Sequence, residues 1–133
     1  MFRNPEHTQN IWPDGGPGNG IDIVSIVLPV PDGGVMQRLG PPVNGNARAF
    51  YPVISSDDLT LYYTLDVGLS ADHEIAVARR ATKNDPFGGA ALVTELNTPD
   101  AREGPMWLSP DGCTLYVHRV TTERQLLFAT RGK

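Results

Sequence analysis

Two stretches of this chain, 54 residues apart, spell the same short pattern, and a unit encoded twice limits the fold to architectures that repeat. The run Tyr51-Pro52-Val53-Ile54-Ser55-Ser56-Asp57-Asp58-Leu59-Thr60-Leu61-Tyr62 aligns without gaps on Pro105-Met106-Trp107-Leu108-Ser109-Pro110-Asp111-Gly112-Cys113-Thr114-Leu115-Tyr116. Five of the twelve positions are identical, where unrelated windows would share roughly one. Further on, Glu74-Ile75-Ala76-Val77-Ala78-Arg79-Arg80 answers Gln125-Leu126-Leu127-Phe128-Ala129-Thr130-Arg131 at an offset of 51, so the first copy carries the longer loop. Val43-Asn44 and Leu96-Asn97 hold matching places ahead of the two Ser-x-Asp segments. Gly18-Asn19-Gly20-Ile21-Asp22-Ile23 gives a fainter, earlier match to the segment at Glu74.

Each unit resolves into strand-like pieces. Residues 50–55 and 106–109 are short and apolar-rich, while 59–64 and 113–118 mix β-branched, aromatic and apolar side chains, the composition that suits a pleated surface. Two hairpins are predicted. In the second, Ser109-Pro110-Asp111-Gly112 supplies a hydroxyl to start the turn, a proline with φ preset, and a glycine where φ can become positive. In the first, Ser55, Asp57 and Asp58 fill the same places, with Asp58 at the glycine position, and Asp enters the left-handed region more readily than most residues. A third strand is predicted over 75–79 and 126–130, and a fourth near 91–95. Four antiparallel strands per repeat is the make-up of a β-propeller blade, so the expected fold class is all-β, an incomplete propeller. Tyr62, Trp107, Tyr116 and Phe128 are expected to pack inside, between neighbouring sheets.

Composition supports an all-β chain of one domain's size. There are 133 residues, 40% apolar and 20% charged, with Gly 14 and Pro 12, many turns between short elements. The net charge is −4 and the basic residues are scattered apart from Arg79-Arg80, so no cluster is present to displace counterions from a nucleic acid. The single cysteine, Cys113, forms no intramolecular disulfide and reads as a small packing residue. Residues 1–7 carry charge and proline without an apolar block, so no secretory signal is visible, and the apolar stretch 21–30 is too short to span a bilayer.

The standard signatures of catalysis are missing from the sequence: no nucleophile elbow, no glycine-rich phosphate loop, no zincin helix and no paired cysteines. Asp72-His73-Glu74 with Asp66 is the best metal candidate by residue type, but adjacent strand residues point to opposite faces, which argues against shared ligation. Asp57-Asp58 reads as a solvated turn, His118 as a packed or exposed strand residue, and Ser55 and Ser109 have no identifiable base. Catalytic residues, metal ligands and cofactors are therefore expected to be none, and no ligand-binding residue stands out.

The repeat resembles the WD-repeat-like propeller motif of the TolB family. The resemblance rests on the run from Pro105 to Tyr116 with its Ser-Pro-Asp-Gly, on Phe128-Ala129-Thr130-Arg131, and on the links Asp85-Pro86-Phe87-Gly88-Gly89 and Leu96-Asn97. It covers about residues 37–131 and departs at Ser56 and Asp58. It implies a partial propeller over 21–133, with a full blade at about 50–95, partial blades at 21–40 and 104–131, and residues 1–20 unplaced. A closed propeller has about four to eight blades, so this chain is expected to be a piece of a longer protein, a truncated product, or a subunit whose copies form a ring. The function implied is a non-catalytic binding or scaffolding module with a protein partner or additional blades, using the loops 66–73 and 80–89. The alternative is the propeller portion of a hydrolase, a peptidase or glycosidase. The family resemblance points to the periplasm or cell envelope.

Overall fold

A computed structural model of the chain describes residues 9–14, 22–27, 37–45, 47–66 and 73–132, and among them every regular element is a β-strand. The strands are β1 (Gln9–Asp14), β2 (Asp22–Val27), β3 (Gln37–Arg38), β4 (Ala49–Ile54), β5 (Thr60–Asp66), β6 (His73–Arg79), β7 (Gly88–Leu92), β8 (Arg102–Leu108), β9 (Thr114–Val120) and β10 (Arg124–Thr130). The first three form one antiparallel sheet in chain order. The remaining seven form an open sheet built from two antiparallel meanders, β4-β5-β6-β7 and β8-β9-β10. Among the described residues one parallel pair, His73 with Arg102, joins those meanders at one corner. The described residues thus form three leaves: β1–β3, β4–β7 and β8–β10.

The repeat of the sequence is a repeat of backbone hydrogen bonding. In the second leaf Ser55 Oγ donates to Asp57 Oδ1 at 2.5 Å, Asp57 Oδ1 accepts the Leu59 N–H at 3.0 Å, and the Thr60 N–H reaches Ser55 Oγ at 2.9 Å. In the third leaf Ser109, Asp111, Cys113 and Thr114 make the same three bonds at 2.5, 3.0 and 2.9 Å. The turn needs a left-handed residue, supplied by Asp58 at φ 63° and by Gly112 at φ 69°. Each turn is then overlaid by the arginine that directly follows the matching third strand. Arg80 Nε donates to the Asp58 carbonyl at 2.8 Å, and a Cβ on Gly112 would lie 3.3 Å from Arg131 Nη2.

Registers match as well. Val53–Tyr62–Val77 run across β4, β5 and β6, and Trp107–Tyr116–Phe128 run across β8, β9 and β10. The irregularity between Phe50 and Val53 in β4 recurs between Pro105 and Trp107 in β8. A side-chain clamp also repeats: Asn97 Oδ1 accepts the Ile75 N–H at 2.7 Å while its Nδ2 donates to the Ile75 carbonyl at 3.0 Å. Asn44 does the same to Ile23, at 2.8 and 2.5 Å. Ile23 therefore holds in β2 the place that Ile75 holds in β6.

Strand alternation gives every leaf two faces. One face of the second leaf, with Leu61, Tyr63, Ala76 and Ala78, buries against Ile23 of the first leaf, with Val43 and Phe87 closing the cluster. Its other face carries Ile75 and Tyr62, which pack with Leu115, Val117, Leu108 and Leu127 of the third leaf. Burial of this kind yields about 25 cal/mol per Å2 of apolar surface, so leaf-on-leaf contact is what holds the fold.

Two expectations are corrected, and a segment that the sequence left unplaced gains an element. The fourth strand is Gly88–Leu92, shifted toward the N-terminus from 91–95, because residues 94–96 turn, with the Leu96 and Asn97 N–H groups both donating to the Val93 carbonyl. The segment 1–20 is not wholly without an element: β1 lies at Gln9–Asp14 and pairs along its length with β2. Pro13 is admissible there because β1 is an edge strand. Finally, of the four aromatics expected inside, only Tyr62 joins a core; Trp107, Tyr116 and Phe128 are 39%, 36% and 66% exposed. Among the described residues no helix is long and apolar enough to cross a membrane.

Candidate functional site

The outer face of the third leaf is an open band of rings. Register places Trp107, Tyr116 and Phe128 side by side on three neighbouring strands, with His118 and Leu126 paired one step along the same face. The Trp107 and Tyr116 rings meet edge to face at 5.6 Å, and Tyr116 and Phe128 lie tilted at 5.9 Å, separations at which aromatic pairs attract. Leu126 and Phe128 are each about two-thirds exposed. Their counterparts in the second leaf, Ile75 and Val77, are 0% and 8% exposed. The same positions in the repeat are thus a buried core in one leaf and bare surface in the next.

Tyr51 extends the band across to β4. The irregularity in that strand holds it at φ 53°, a conformation in which a bulky residue is strained. Its ring stands edge-on to Phe50 at 5.0 Å and to His118 at 5.4 Å, and it is half exposed. Strain of this kind is kept where the surroundings dictate it, and the repeated irregularity of the strand is that constraint. His73 completes the group by meeting the other side of Phe50 at 4.9 Å. Burial pushes the His118 pKa down, the Arg124 charge acts in the same direction, and Glu103 opposes them. Burial also lowers the His73 pKa, against Asp66 and helped by Arg102, Arg48 and His118. Both shifts favour the neutral imidazole, the form that suits an apolar band.

Behind the band sits a buried ion pair that sequence reasoning missed. Glu103 is fully buried; its Oε1 accepts from Arg119 Nε at 2.9 Å, from the Thr98 N–H at 3.2 Å and from the Thr98 hydroxyl, while Oε2 has no hydrogen-bond partner. Arg119 also donates to the Leu96 carbonyl at 3.3 Å. The pair therefore ties β8 and β9 to the link that enters the third leaf. A signal was available: at the offset of 54, Glu103 and Arg119 stand where the second leaf has Ala49 and Leu65.

The turn residues Ser55, Asp57, Asp58, Ser109, Pro110, Asp111 and Gly112 lie together at one end of the leaves. Ser56 Oγ donates to the Pro110 carbonyl at 2.7 Å, so one turn seats on the next. The hydroxyls of Ser55 and Ser109 each donate to an aspartate and accept a backbone N–H, which commits them to the turn. Asp58 is buried beside Lys83, 3.4 Å away. The loop after β6 is tied down by the Arg80 guanidinium over the Phe87 ring at 4.4 Å and by the Thr82 N–H donating to Asp85 at 2.8 Å. Of the metal candidates, His73 and Glu74 open β6 and Asp66 ends β5, with Asp66 and His73 paired in register. Asp72 lies outside the described residues, as do loop positions 67–72. Among the described residues no three His, Cys, Asp or Glu side chains are grouped as a metal would require.

Neither a protein-family model nor a curated protein sequence matches this chain.

Proposed function

We propose that this chain is a non-catalytic β-propeller module of the TolB-like, WD-repeat-like kind, and that it works by binding protein. The observation that carries this is the open band of Trp107, Tyr116, Phe128 and Leu126 on a leaf whose backbone is pinned by a buried ion pair and a repeated turn. Aromatic side chains held on rigid backbone are the usual anchors of protein interfaces. Each full cover of a Leu or Phe side chain is worth about 1.5–3 kcal/mol, so a sheet or helix laid on this band gains from every ring. The propeller reading is supported by the order of the leaves, the repeated turn and the repeated asparagine clamp, each the same from unit to unit.

A photo-activatable phenylalanine analogue placed at position 128 tests the function directly, with position 83 as control. Illumination in the cells that make the chain is expected to give protein adducts from 128 and not from 83. Absence of a protein adduct from 128 would contradict a protein-binding role for this face.

A further inference from the structure

We propose that the rim of the third leaf, at the end remote from the Ser-x-Asp turns, is a carboxylate-binding site in which Arg102 and Arg124 hold an anionic group of a ligand across Val120. The site lies beside the aromatic band and stands apart from the protein-binding reading, since either a free organic acid or an acidic side chain supplies the group.

The repeat shows what this place is built to hold. Arg48 directly precedes β4 and Arg102 opens β8, and the two are 54 residues apart. In the second leaf Arg48 is opposed by Asp66, whose N–H donates to the Arg48 carbonyl at 3.0 Å. The Arg48 guanidinium holds Asp66 Oδ2 through Nε at 3.1 Å and Nη2 at 3.0 Å. Asp66 is in turn paired with His73 on β6. One repeat later the row reads Arg102, Val120, Arg124, in register across β8, β9 and β10. The first arginine is kept, the carboxylate has become a valine, and the histidine has become a second arginine. The second leaf thus answers its rim arginine from its own strand, whereas the third doubles the positive charge and puts no carboxylate in the row.

Geometry lets both arginines serve one anion. Residues opposed across antiparallel strands share a face. Neighbouring strands lie about 4.8 Å apart, so the backbones of Arg102 and Arg124 are separated by about 10 Å with Val120 between them. Both arginines are exposed. Arg102 also has an interaction of its own within the chain, and a guanidinium with its five N–H donors serves more than one acceptor. Its planar fork matches a carboxylate better than a lysine does. The charge of this corner is felt by the two histidines. Burial is the larger cause of the lowered pKa at each; Arg102 and Arg48 then add to it at His73, against Asp66, and Arg124 adds to it at His118.

An NMR titration of the full chain tests the site by following the arginine Nε–Hε signals at fixed ionic strength. The probes are propionate and a blocked Ala-Glu-Ala peptide, with propionamide and Ala-Gln-Ala as uncharged controls. Saturable movement of the Arg102 and Arg124 signals is expected with the carboxylates and not with the amides. The chain's net charge of −4 works against unspecific attraction of anions. Tighter binding of the peptide than of propionate points to an acidic side chain as the source, and the reverse order to a free acid. Arg124→Gln should weaken binding at least about tenfold, the loss of one charge-assisted hydrogen bond. Val120→Asp restores the carboxylate that Asp66 supplies one repeat earlier and should abolish binding, with far-UV circular dichroism checking that the β content is kept. Arginine signals unmoved by both carboxylates, equal movement with the amides, or undiminished binding by Arg124→Gln would overturn the proposal. A silent titration alongside protein adducts from position 128 would remove this site and leave the protein-binding face standing.

Discussion

Glu103 and Arg119 occupy places that Ala49 and Leu65 hold one repeat earlier, so a single register position is apolar in one leaf and ionic in the next. Removing one member of a buried pair strands the other, whereas replacing both by packed apolar residues is often neutral. Glu103→Ala is therefore expected to cost about 3 kcal/mol in chemical unfolding. The double change to Ala at 103 and Leu at 119 should recover at least half of that. The turn glycine behaves differently. Gly112 sits at φ 69°, where a β-carbon is strained, so Gly112→Ala should cost about 1 kcal/mol. Asp58 already stands in that conformation in the other copy, and the position was legible because the two turns align without a gap. The Glu103 pair was harder to find, since a charged residue on a strand reads as solvent-facing until the opposite leaf is known to cover it. With His73, His118 carries the pH response. Its folded pKa lies below the unfolded value near 6.5, so the unfolded chain takes up the proton first as pH falls. Stability should be full above pH of about 6.5 and decline below it, and His118→Gln should flatten part of that decline in a thermal melt taken across pH.

At the scale of elements, the asparagine clamp decides where one leaf stops and the next begins. Asn97 bonds both backbone groups of Ile75, and Asn44 both of Ile23 with a further bond to the Leu39 carbonyl at 2.8 Å. Each clamped carbonyl keeps a second donor, the Val93 N–H for Ile75 and the Leu39 N–H for Ile23, so loss of the amide strands the N–H alone, at a cost of about 1–3 kcal/mol. Asn97→Ala should lower stability by that order and speed amide exchange at Ile75, and Asn44→Ala should do the same at Ile23. Asn97→Asp should be no better, because it keeps an acceptor for the Ile75 N–H but turns a carboxylate oxygen toward the Ile75 carbonyl. The paired asparagines were visible in the sequence, and so was the faint match at Asp22-Ile23 that the clamp now gives a physical basis. The strands of low propensity were not. Gly88 and Gly89 lie in β7 through pairing with β6, and Pro13 lies in β1 through pairing with β2. Tertiary pairing overrides local preference at such edges.

For the whole molecule, the order of the leaves matters more than the content of any one. A sequence reader sees four aromatics on strands and buries them, since rings on strands usually pack. The third leaf leaves three of them open, and only the arrangement of leaves shows it: the face equivalent to theirs in the second leaf is filled by Leu115 and Val117, and nothing in the described chain plays that role again. All-β content was legible from turn chemistry and the repeat, whereas the open face depends on how many leaves follow. Methyl-to-methyl nuclear Overhauser contacts in the purified chain, taken under monomeric conditions, probe this stacking most directly. Successive leaves covering one another in order should link Ile75 with Leu115 and Val117, and Ile23 with Leu61, while Leu126 touches no methyl of the second leaf. Contacts from Leu126 to Ile75 or Leu61, or none between Ile75 and Leu115, would contradict it.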